Sequence, residues 1–444
     1  MMKTSELMGW GRYPRRPGPL GQPRDERQLS AYVGLGGVVA RGNGRAYGDA
    51  AIGAAATVDM RALNRMISFD PETGVLVAEA GVILGDVIDA YLPRGWFPYV
   101  TPGTKFVSLG GAIASDVHGK NHHSEGSFGA FVDWVDVMDA EGQVQRASRH
   151  ENPDLFAWTV GGMGLTGVIV RAAIRLRPIE SAWIKQETIV AKNLQAAIET
   201  FESAKSTTYS VAWIDCLASG ADLGRSLVML GEHAGAAELP HQHRLRPFDS
   251  PVRGKKSVPF DAPGFALNSL TVKAFNALYW RKGQRAQGTS YVDWDSYFYP
   301  LDAVLGWNRI YGRRGFLQYQ CVLPLSASKV GLTEMLQETA RTGQGSFLAV
   351  LKRFGAQDSK FSFPMEGYTL ALDFPANARS LALLDRLDAI TVAHGGRVYL
   401  AKDARTAATT LHCADPRATA YAQMREETGL STQFASAQSE RLLL

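Results

Sequence analysis

Glycine-rich segments in the first 170 residues constrain this chain more than any other feature of its sequence. The chain has 45 glycines among 444 residues, about a tenth, where a typical protein has about 7%. Residues 110–123 (GGAIASDVHGKNHH) combine glycines with three histidines and a lysine. Ordering glycine costs more conformational entropy than ordering other residues, and histidines are seldom buried without partners. Such a stretch indicates backbone that closes tightly on a large ligand.

Composition is that of an ordinary globular protein and argues against several functions. The length allows two or three domains, and a net charge of +4 is too small to indicate nucleic-acid binding. Cys216, Cys321 and Cys413 are too widely spaced for a disulfide framework, which favours a reducing compartment. We find neither a secretory signal nor the run of about 18 apolar residues that a membrane span needs. We expect a cytoplasmic or peripherally membrane-associated protein.

One local run is strongly basic and is interleaved with prolines. Its members are His241, His243, Arg244, Arg246, Arg253, Lys255 and Lys256. Two interpretations stay open: a solvated loop, or a surface that meets anionic lipid headgroups or a substrate phosphate.

Hydrophobic patterning divides the chain near Pro178. Before it, short alternating runs at residues 38–40, 57–60, 74–80, 131–139 and 167–176 predict strands, and residues 84–92 predict a helix that ends at Pro93. After it, residues 210–217, 316–323, 346–351 and 368–374 predict strands. Residues 326–341, 377–393 and a final stretch from Asp415 to residue 428 predict helices. The pattern indicates an α+β protein whose second part is an antiparallel sheet flanked by helices.

Three familiar catalytic or binding motifs do not fit this chain. Residues 162–167 match G-x-G-x-x-G, but residues 168–174 then read as a strand, whereas the dinucleotide fingerprint opens a helix. His118, His122 and His123 have helical spacing for a metal site, yet the flanking glycines oppose a helix and no cysteine or carboxylate completes a ligand set. No Gly-x-Ser-x-Gly elbow is present. We therefore expect no metal and no hydrolase triad.

A cradle for a phosphate-bearing cofactor explains the glycines better. Residues 41–48 (RGNGRAYG) present successive backbone N–H groups, an arrangement suited to pyrophosphate oxygens. Residues 102–104 (PGT) and 108–111 (SLGG) offer a second wall.

These segments, together with residues 110–129 and 164–167, resemble the vanillyl-alcohol-oxidase (PCMH) type of FAD-binding domain. The chain is also similar to the decaprenylphosphoryl-β-D-ribose 2-oxidase family, the flavoenzyme half of a two-enzyme epimerase. That similarity extends over nearly the whole chain, through residues 210–215, 307–309, 315–320, 399–406 and 434–436.

The resemblance implies a two-part FAD-binding domain, residues 1–180 and 397–444, with a substrate domain of residues 181–396 over the isoalloxazine ring. The residues that it implies for cofactor binding are Arg41, Gly42, Asn43, Gly44, Arg45, Ala46, Tyr47, Gly48, Asp49, Gly103, Thr104, Ser108, Leu109, Gly110, Gly111, Ser115, Asp116, Val117, His118, Asn121, His123, Ile169 and Tyr399.

The implied reaction is oxidation of the 2-hydroxyl of a polyprenyl-phosphoryl-β-D-ribose to the 2-keto sugar, which a short-chain NAD-dependent reductase partner would reduce to the arabinose donor of cell-wall arabinan. Lys402, with His118 and Lys120 near the flavin, is the implied catalytic group, provided that burial or nearby charge lowers its pKa. The implied substrate-binding residues are Trp213, Gln318, Gln320, Lys352, Lys120 and Lys402. Gln318 and Gln320 also share one strand face by their spacing.

Two positions depart from what is common in these families. Many members of the wider superfamily attach FAD through a histidine in the first glycine loop, where this chain has Arg45, so we expect noncovalent FAD. The substrate pocket of the narrower family often carries a cysteine where this chain has Ala371, so a thiol-directed covalent inhibitor would lose its anchor.

Two other functions stay open. One is FAD-dependent oxidation of a soluble alditol or aldonolactone. The other is a noncatalytic flavin-binding or membrane-assembly subunit.

Overall fold

The structure is a computed structural model that describes residues 2–251, 254–263, 268–346 and 348–444. Its first elements are β1 (Lys3–Met8), β2 (Arg15–Gly21), α1 (Glu26–Val33), β3 (Val38–Arg41) and β4 (Ala56–Asp59). They form a four-stranded sheet in the order β1-β2-β4-β3, in which β4 runs parallel to both its neighbours. The glycine loop leaves this sheet at the end of β3.

A second, antiparallel sheet follows in the order β5-β6-β10-β8-β9, with β7 beside β10. Its elements are β5 (Met66–Asp70), β6 (Val75–Glu79), α2 (Leu84–Tyr91), β7 (Trp96–Pro98), α3 (Leu109–Ala114), α4 (His122–Glu125), β8 (Val132–Met138), β9 (Val144–Ser148), α5 (Pro153–Thr159) and β10 (Val168–Pro178). One face of α2 and all of α3's apolar residues are buried in the core of this part.

The third sheet is antiparallel and has eight strands, in the order β15-β11-β13-β12-β18-β19-β17-β20, with a separate parallel pair β14–β16. Its elements are β11 (Trp183–Ala191), α6 (Leu194–Ser203), β12 (Tyr209–Ile214), β13 (Ser226–His233), α7 (His241–Arg244), β14 (Lys256–Ser257), α8 (Ser269–Arg285), β15 (Gly288–Asp293), α9 (Trp294–Phe298), β16 (Val304–Leu305), β17 (Phe316–Pro324), α10 (Leu325–Thr342), β18 (Val350–Phe354), β19 (Gly367–Pro375), α11 (Ala378–Ala393) and β20 (Arg397–Val398).

Side chains alternate along the central strands of this sheet. Leu317, Tyr319 and Cys321 of β17 point into a buried apolar cluster with α10 and α11, as the alternation predicts. Gln318 and Gln320 lie on the opposite face. One face of the sheet therefore forms a core, and the other is free to carry polar groups.

The last four helices return to the first sheet. They are α12 (Ala408–Ala414), α13 (Arg417–Glu427), α14 (Leu430–Gln433) and α15 (Ala437–Leu442), and short 3-10 turns lie at Met60–Ala62, Leu92–Arg94, Phe128–Phe131, Gly220–Asp222, Ala236–Glu238 and Trp307–Tyr311. Phe434 forms a β-bridge with Val38. The Arg441 guanidinium lies 2.8 Å from a carboxylate oxygen of Asp49 and 2.9 Å from one of Asp403, and both carboxylates are buried.

Most predicted elements are confirmed, and the α+β class is confirmed. The expectation that glycines exclude a helix at residues 118–123 is wrong at its end, because α4 begins at His122. The strand predicted at 346–351 instead spans Val350–Phe354, and the one at 210–217 ends at Ile214. Phe347 of the predicted strand and Arg253 of the basic run lie outside the described residues. Part of that run forms α7, a single helical turn, where a loop was one expectation.

The helices in the described parts of the chain do not include one that is both long and apolar enough to cross a membrane.

Arg441→Met should destabilise the protein by about 3–5 kcal/mol, because it leaves two buried carboxylates without their cation. The matched control is Arg16→Met, since Arg16 pairs with Glu440 at 3.9 Å and both side chains are about half exposed; it should cost no more than about 1 kcal/mol. The measurement is the midpoint of urea unfolding. Equal midpoints for the two variants would contradict the assignment.

Candidate active site

The glycine loop after β3 (residues 42–48) presents a row of backbone N–H groups without a partner in the part of the chain that the structure describes. Among the described residues, the amides of residues 42–46 donate to no protein acceptor. A Cβ on Gly42 would lie 1.9 Å from Ser108 Oγ, so only glycine allows this close approach to the start of α3. Successive free amides form a concave site for phosphate oxygens. The loop therefore fits the pyrophosphate of the expected cofactor.

Side chains of the same loop bind the protein and hold the loop's shape. The Arg41 guanidinium donates to the carbonyl oxygens of Met8 and Ala51, at 2.8 and 3.2 Å. Asn43 Nδ2 donates to the carbonyl oxygen of Phe106 at 2.8 Å. These contacts leave the backbone of the loop, including Gly44, as the surface that faces a ligand.

The end of the loop joins the N-terminal strands to the segment after β20. The Ala46 carbonyl accepts from Trp10 N at 2.8 Å, and Tyr47 N donates to the Ala401 carbonyl at 2.9 Å. A Cβ on Gly48 would lie 2.1 Å from the carbonyl oxygen of Asp403. The loop is thus fixed against the residues that carry Lys402.

Arg45 and Tyr47 stack against neighbouring groups. The Arg45 guanidinium lies 4.1 Å from the centre of a Trp10 ring, and its Nε has no hydrogen-bond partner within the described ranges. Burial lowers the pKa of Arg45. The Lys402 ammonium lies 3.8 Å from the centre of the Tyr47 ring, so Tyr47 contacts the predicted catalytic lysine as well as the loop.

The second wall lies at the start of α3. Ser108 caps this helix, since its Oγ accepts from Gly111 N at 3.3 Å. Gly103 and Gly111 are exposed and would tolerate a ligand close by, whereas the Thr104 hydroxyl donates to the Asp302 carboxylate at 2.8 Å. The backbone amides of Leu109 and Gly110, which are also predicted cofactor contacts, donate to carbonyl oxygens just after β6.

The turn after α3 is held by a buried carboxylate. Asp116, at φ 39°, accepts hydrogen bonds from Ser127 Oγ, Gly129 N and Gln357 Nε2 at 2.7 to 2.9 Å. Its carboxylate therefore shapes the turn rather than offering free oxygens to a ligand. Gln357 also binds His122 Nε2 at 2.7 Å, so one amide connects this turn to the segment after β18.

Tyr399 closes the turn from the other side. Its hydroxyl donates to the Ser115 carbonyl at 2.9 Å. Val117 and Ile169, both predicted cofactor contacts, are buried in the core beneath this turn.

His118 is buried and faces the polar side of the third sheet. Its Nε2 lies 2.9 Å from Gln320 Nε2, and because an amide N–H only donates, Nδ1 of the neutral ring carries the hydrogen. Nδ1 has no acceptor among the described residues. Burial, followed by the charge of Lys352, holds the pKa of His118 well below its usual value. The structure therefore presents a neutral imidazole whose Nδ1–H is left to donate to a ligand.

The polar face of the third sheet extends over four neighbouring strands. In register, Gln318 lies opposite Asp373 and Gln320 opposite Ala371. Gln318 Nε2 donates to Asp373 Oδ1 at 2.5 Å. Trp213 of β12 is buried next to β18 and packs on Tyr279 of α8, with ring centres 4.8 Å apart. Amide, carboxyl and aromatic groups on one face suit a sugar.

Lys120 and Lys352 bring partly buried positive charge to this face. Burial lowers the pKa of Lys352 to about 8 and, with the charge of Lys352, that of Lys120 to about 7. The Lys120 ammonium donates to the Tyr297 carbonyl and lies 4.0 Å from the centre of its ring. Such weakly held protons are stabilised when an anion binds.

The protonation of Lys402 depends on a nearby carboxyl group, that of Asp373. Burial and the charge of Lys352 lower its pKa, while Asp373 raises it. Burial raises the pKa of Asp373 towards neutrality. The pKa of Lys402 is therefore about 7, far below the usual value for a lysine. A lysine with such a pKa can act as a general base near neutral pH.

The other candidates of this segment bind to protein groups. His123 Nε2 contacts the Thr207 carbonyl at 2.7 Å and its Nδ1 lies 3.3 Å from Ser210 Oγ. Asn121 donates to the Tyr99 carbonyl at 2.8 Å. The three histidines thus have separate partners, and no group of three or more metal-ligating side chains lies together in the described residues.

Sequence reasoning missed Asp373 and Gln357. Asp373 lies on the same strand face as Ala371, two residues earlier, so the period of two already placed it beside the glutamines once β17 and β19 pair. No local signal marks Gln357, because its partners lie more than 230 residues away.

Comparison with known proteins decides the family. Residues 21–148 match the family model described as "FAD binding domain". The chain is 37% identical to decaprenylphosphoryl-β-D-ribose oxidase of Mycolicibacterium smegmatis, over 99% of this chain and 98% of that protein. This chain belongs to the decaprenylphosphoryl-β-D-ribose oxidase family.

Two further relatives carry less specific names. An uncharacterized protein from the mprA 5′ region of Streptomyces coelicolor is 31% identical, over 81% of this chain and all of that protein. An uncharacterized oxidoreductase of the Rhodococcoides fascians fasciation locus is 30% identical over 35% of each chain. FAD is therefore the cofactor, and the predicted FAD-dependent oxidoreductase is confirmed. The free amides of the glycine loop and the unpaired His118 Nδ1 fit it.

Gly42→Ala should weaken FAD binding by at least about tenfold, because the new methyl group pushes the loop away from Ser108. The matched control is Gly254→Ala, where a Cβ meets nothing within 4 Å. The measurement is the ratio of flavin to protein absorbance after reconstitution with FAD. Equal ratios in the two variants would contradict the fit.

Proposed function

We propose that this protein oxidises the 2-hydroxyl of a polyprenyl-phosphoryl-β-D-ribose to the 2-keto sugar, the first half of epimerisation to an arabinose donor. The observation that carries the proposal is the set of three partly buried lysines, Lys120, Lys352 and Lys402, around a polar sheet face beside His118. Their charge exceeds that of Asp373. An anionic phosphodiester balances this excess, whereas a neutral alditol or lactone does not.

The residues that hold FAD in this proposal are those of the glycine loop, Gly103, the start of α3, the turn at Asp116 and His118. When bound, FAD supplies the hydride acceptor at N5. FAD is held noncovalently, because Arg45 stands where a histidine would form the bond. The return of the last helices to β3 supports the proposed domain division at residues 180 and 396, although β20 still pairs with β17 of the third sheet.

Lys402 takes the proton of the sugar hydroxyl. Its neutral form is favoured by burial and by the charge of Lys352. Gln318 and Gln320 orient the sugar by hydrogen bonds from one strand face. Gln320 in turn fixes the His118 ring. Trp213 covers one side of the sugar site, and Lys120 and Lys352 bind the phosphate.

The 2-keto product retains its lipid phosphate and needs a reductant to become the arabinose derivative. A short-chain NAD-dependent reductase is the partner that we propose for this step.

Lys402→Met should slow flavin reduction by about 10²–10⁴-fold, the usual contribution of a positioned base. The control is Lys185→Met on β11, which breaks an exposed ion pair with Glu238 and should leave the rate unchanged. The measurement is anaerobic stopped-flow flavin reduction by a short-chain prenyl-phosphoryl ribose. If only xylitol or a sugar lactone reduces the flavin, the protein is a soluble-sugar oxidase; reduction by no alcohol indicates a noncatalytic subunit.

Two substitutions should shift the pH profile of flavin reduction in opposite directions. The rate rises with pH as Lys402 loses its proton. Asp373→Asn removes the charge that raises the pKa of Lys402, so its profile moves to lower pH. Lys352→Met removes a charge that lowers this pKa, so its profile moves to higher pH. Shifts in the same direction would show that Lys402 is not the titrating group.

A further inference from the structure

The outer face of α8 carries large apolar side chains in water. Leu270 is 77% exposed and Leu278 is 66% exposed. Together with Ala274 they recur every four residues, so they form one stripe along the helix. An isolated exposed leucine is ordinary, but a stripe of them on a helix calls for a covering partner.

The charged side chains of α8 itself are all positive. The 17 residues of α8 contain no aspartate or glutamate. The basic residues of the helix are all exposed, and they are Lys273, Arg281, Lys282 and Arg285. A solvated helix usually mixes both signs, whereas apolar residues flanked by lysine and arginine alone are typical of helices that lie on anionic membranes.

The inner face of α8 is anchored, which leaves the outer face as a fixed surface. Asn276 is buried and donates to Asp215 Oδ1 at 2.7 Å. Gly283 lies so close to β13 that a Cβ would meet Leu227 at 2.1 Å. Tyr279 packs on Trp213, 4.8 Å between ring centres, so the helix lies directly beside the polar face of the third sheet.

We infer that the outer face of α8 docks the protein on an anionic lipid bilayer. Leu270 and Leu278 enter the boundary between headgroups and acyl chains, and the four basic residues bind lipid phosphates. The purpose of this docking rests on the proposed function: a polyprenyl chain stays in the bilayer while its sugar phosphate passes Trp213 into the site. The docking itself is measurable without substrate.

The test is flotation of the FAD-loaded full-length protein with vesicles of equimolar phosphatidylcholine and phosphatidylglycerol. The wild-type protein should float with these vesicles and not with pure phosphatidylcholine. Lys273→Gln/Arg281→Gln/Lys282→Gln should weaken binding by about 100-fold, from about fivefold per cation. Leu270→Ser/Leu278→Ser should also abolish flotation. Both variants should keep their flavin and their rate with short-chain substrate.

The matched control is Leu325→Ser/Lys329→Gln/Val330→Ser on α10, which removes exposed apolar and basic side chains elsewhere on the third-sheet part. It should float as the wild type does. Wild-type protein that ignores anionic vesicles, or α8 variants that float as well as this control, would overturn the inference. Neither result bears on flavin reduction by a short-chain substrate, so failure of docking and failure of the proposed reaction are distinguishable.

Discussion

The hydrogen bond between His118 and Gln320 joins the two halves of this molecule. His118 follows the α3 turn, and Gln320 lies in the middle of β17, 202 residues later. The same seam contains the bond from Ser210 N to the Lys120 carbonyl and the Gln357 amide between Asp116 and His122. Because the bond between His118 and Gln320 is buried, breaking it leaves polar groups without partners. The segment from Asp116 to His122 is thereby held in a fixed position against the third sheet.

Where the two halves of the molecule meet, burial is the main cause of the shifted lysine pKa values. Lysine side chains are usually exposed, yet Lys120, Lys352 and Lys402 are all partly buried, and the charge of Asp373 raises the pKa of Lys402. Burial lowers the pKa of each lysine, and the charge of Lys352 lowers the pKa of Lys120 and of Lys402 further. An anionic substrate restores the balance. In the proposed reaction, this positive charge suits a phosphate-bearing ligand, and Lys402 is the base beside it.

Much of this site was predictable from local sequence. The glycine loop and the α3 segment indicated a phosphate-bearing cofactor because closely spaced glycines let backbone amides approach a ligand. The spacing of Gln318 and Gln320 placed both on one strand face, and the structure confirms that placement. The helix at His122 escaped prediction because a single turn needs only four residues, for which flanking glycines are no obstacle. Asp373 escaped because its partner Gln318 lies on another strand, and Gln357 escaped because its partners lie in the α3–α4 segment, more than 230 residues away.

By itself, the sequence determined the α+β class, the cofactor type and the identity of the lysines and glutamines, because these depend on residue type and short-range periodicity. Tertiary structure alone decided which groups face one another: Gln320 with His118, Asp373 with Lys402, and α8 with Trp213. The pKa of a lysine depends on burial and on charges brought near by strand pairing, neither of which is written in neighbouring residues. The glycine-rich motif indicated the cofactor, whereas the pairing of β12, β17, β18 and β19 determined the electrostatics of the site.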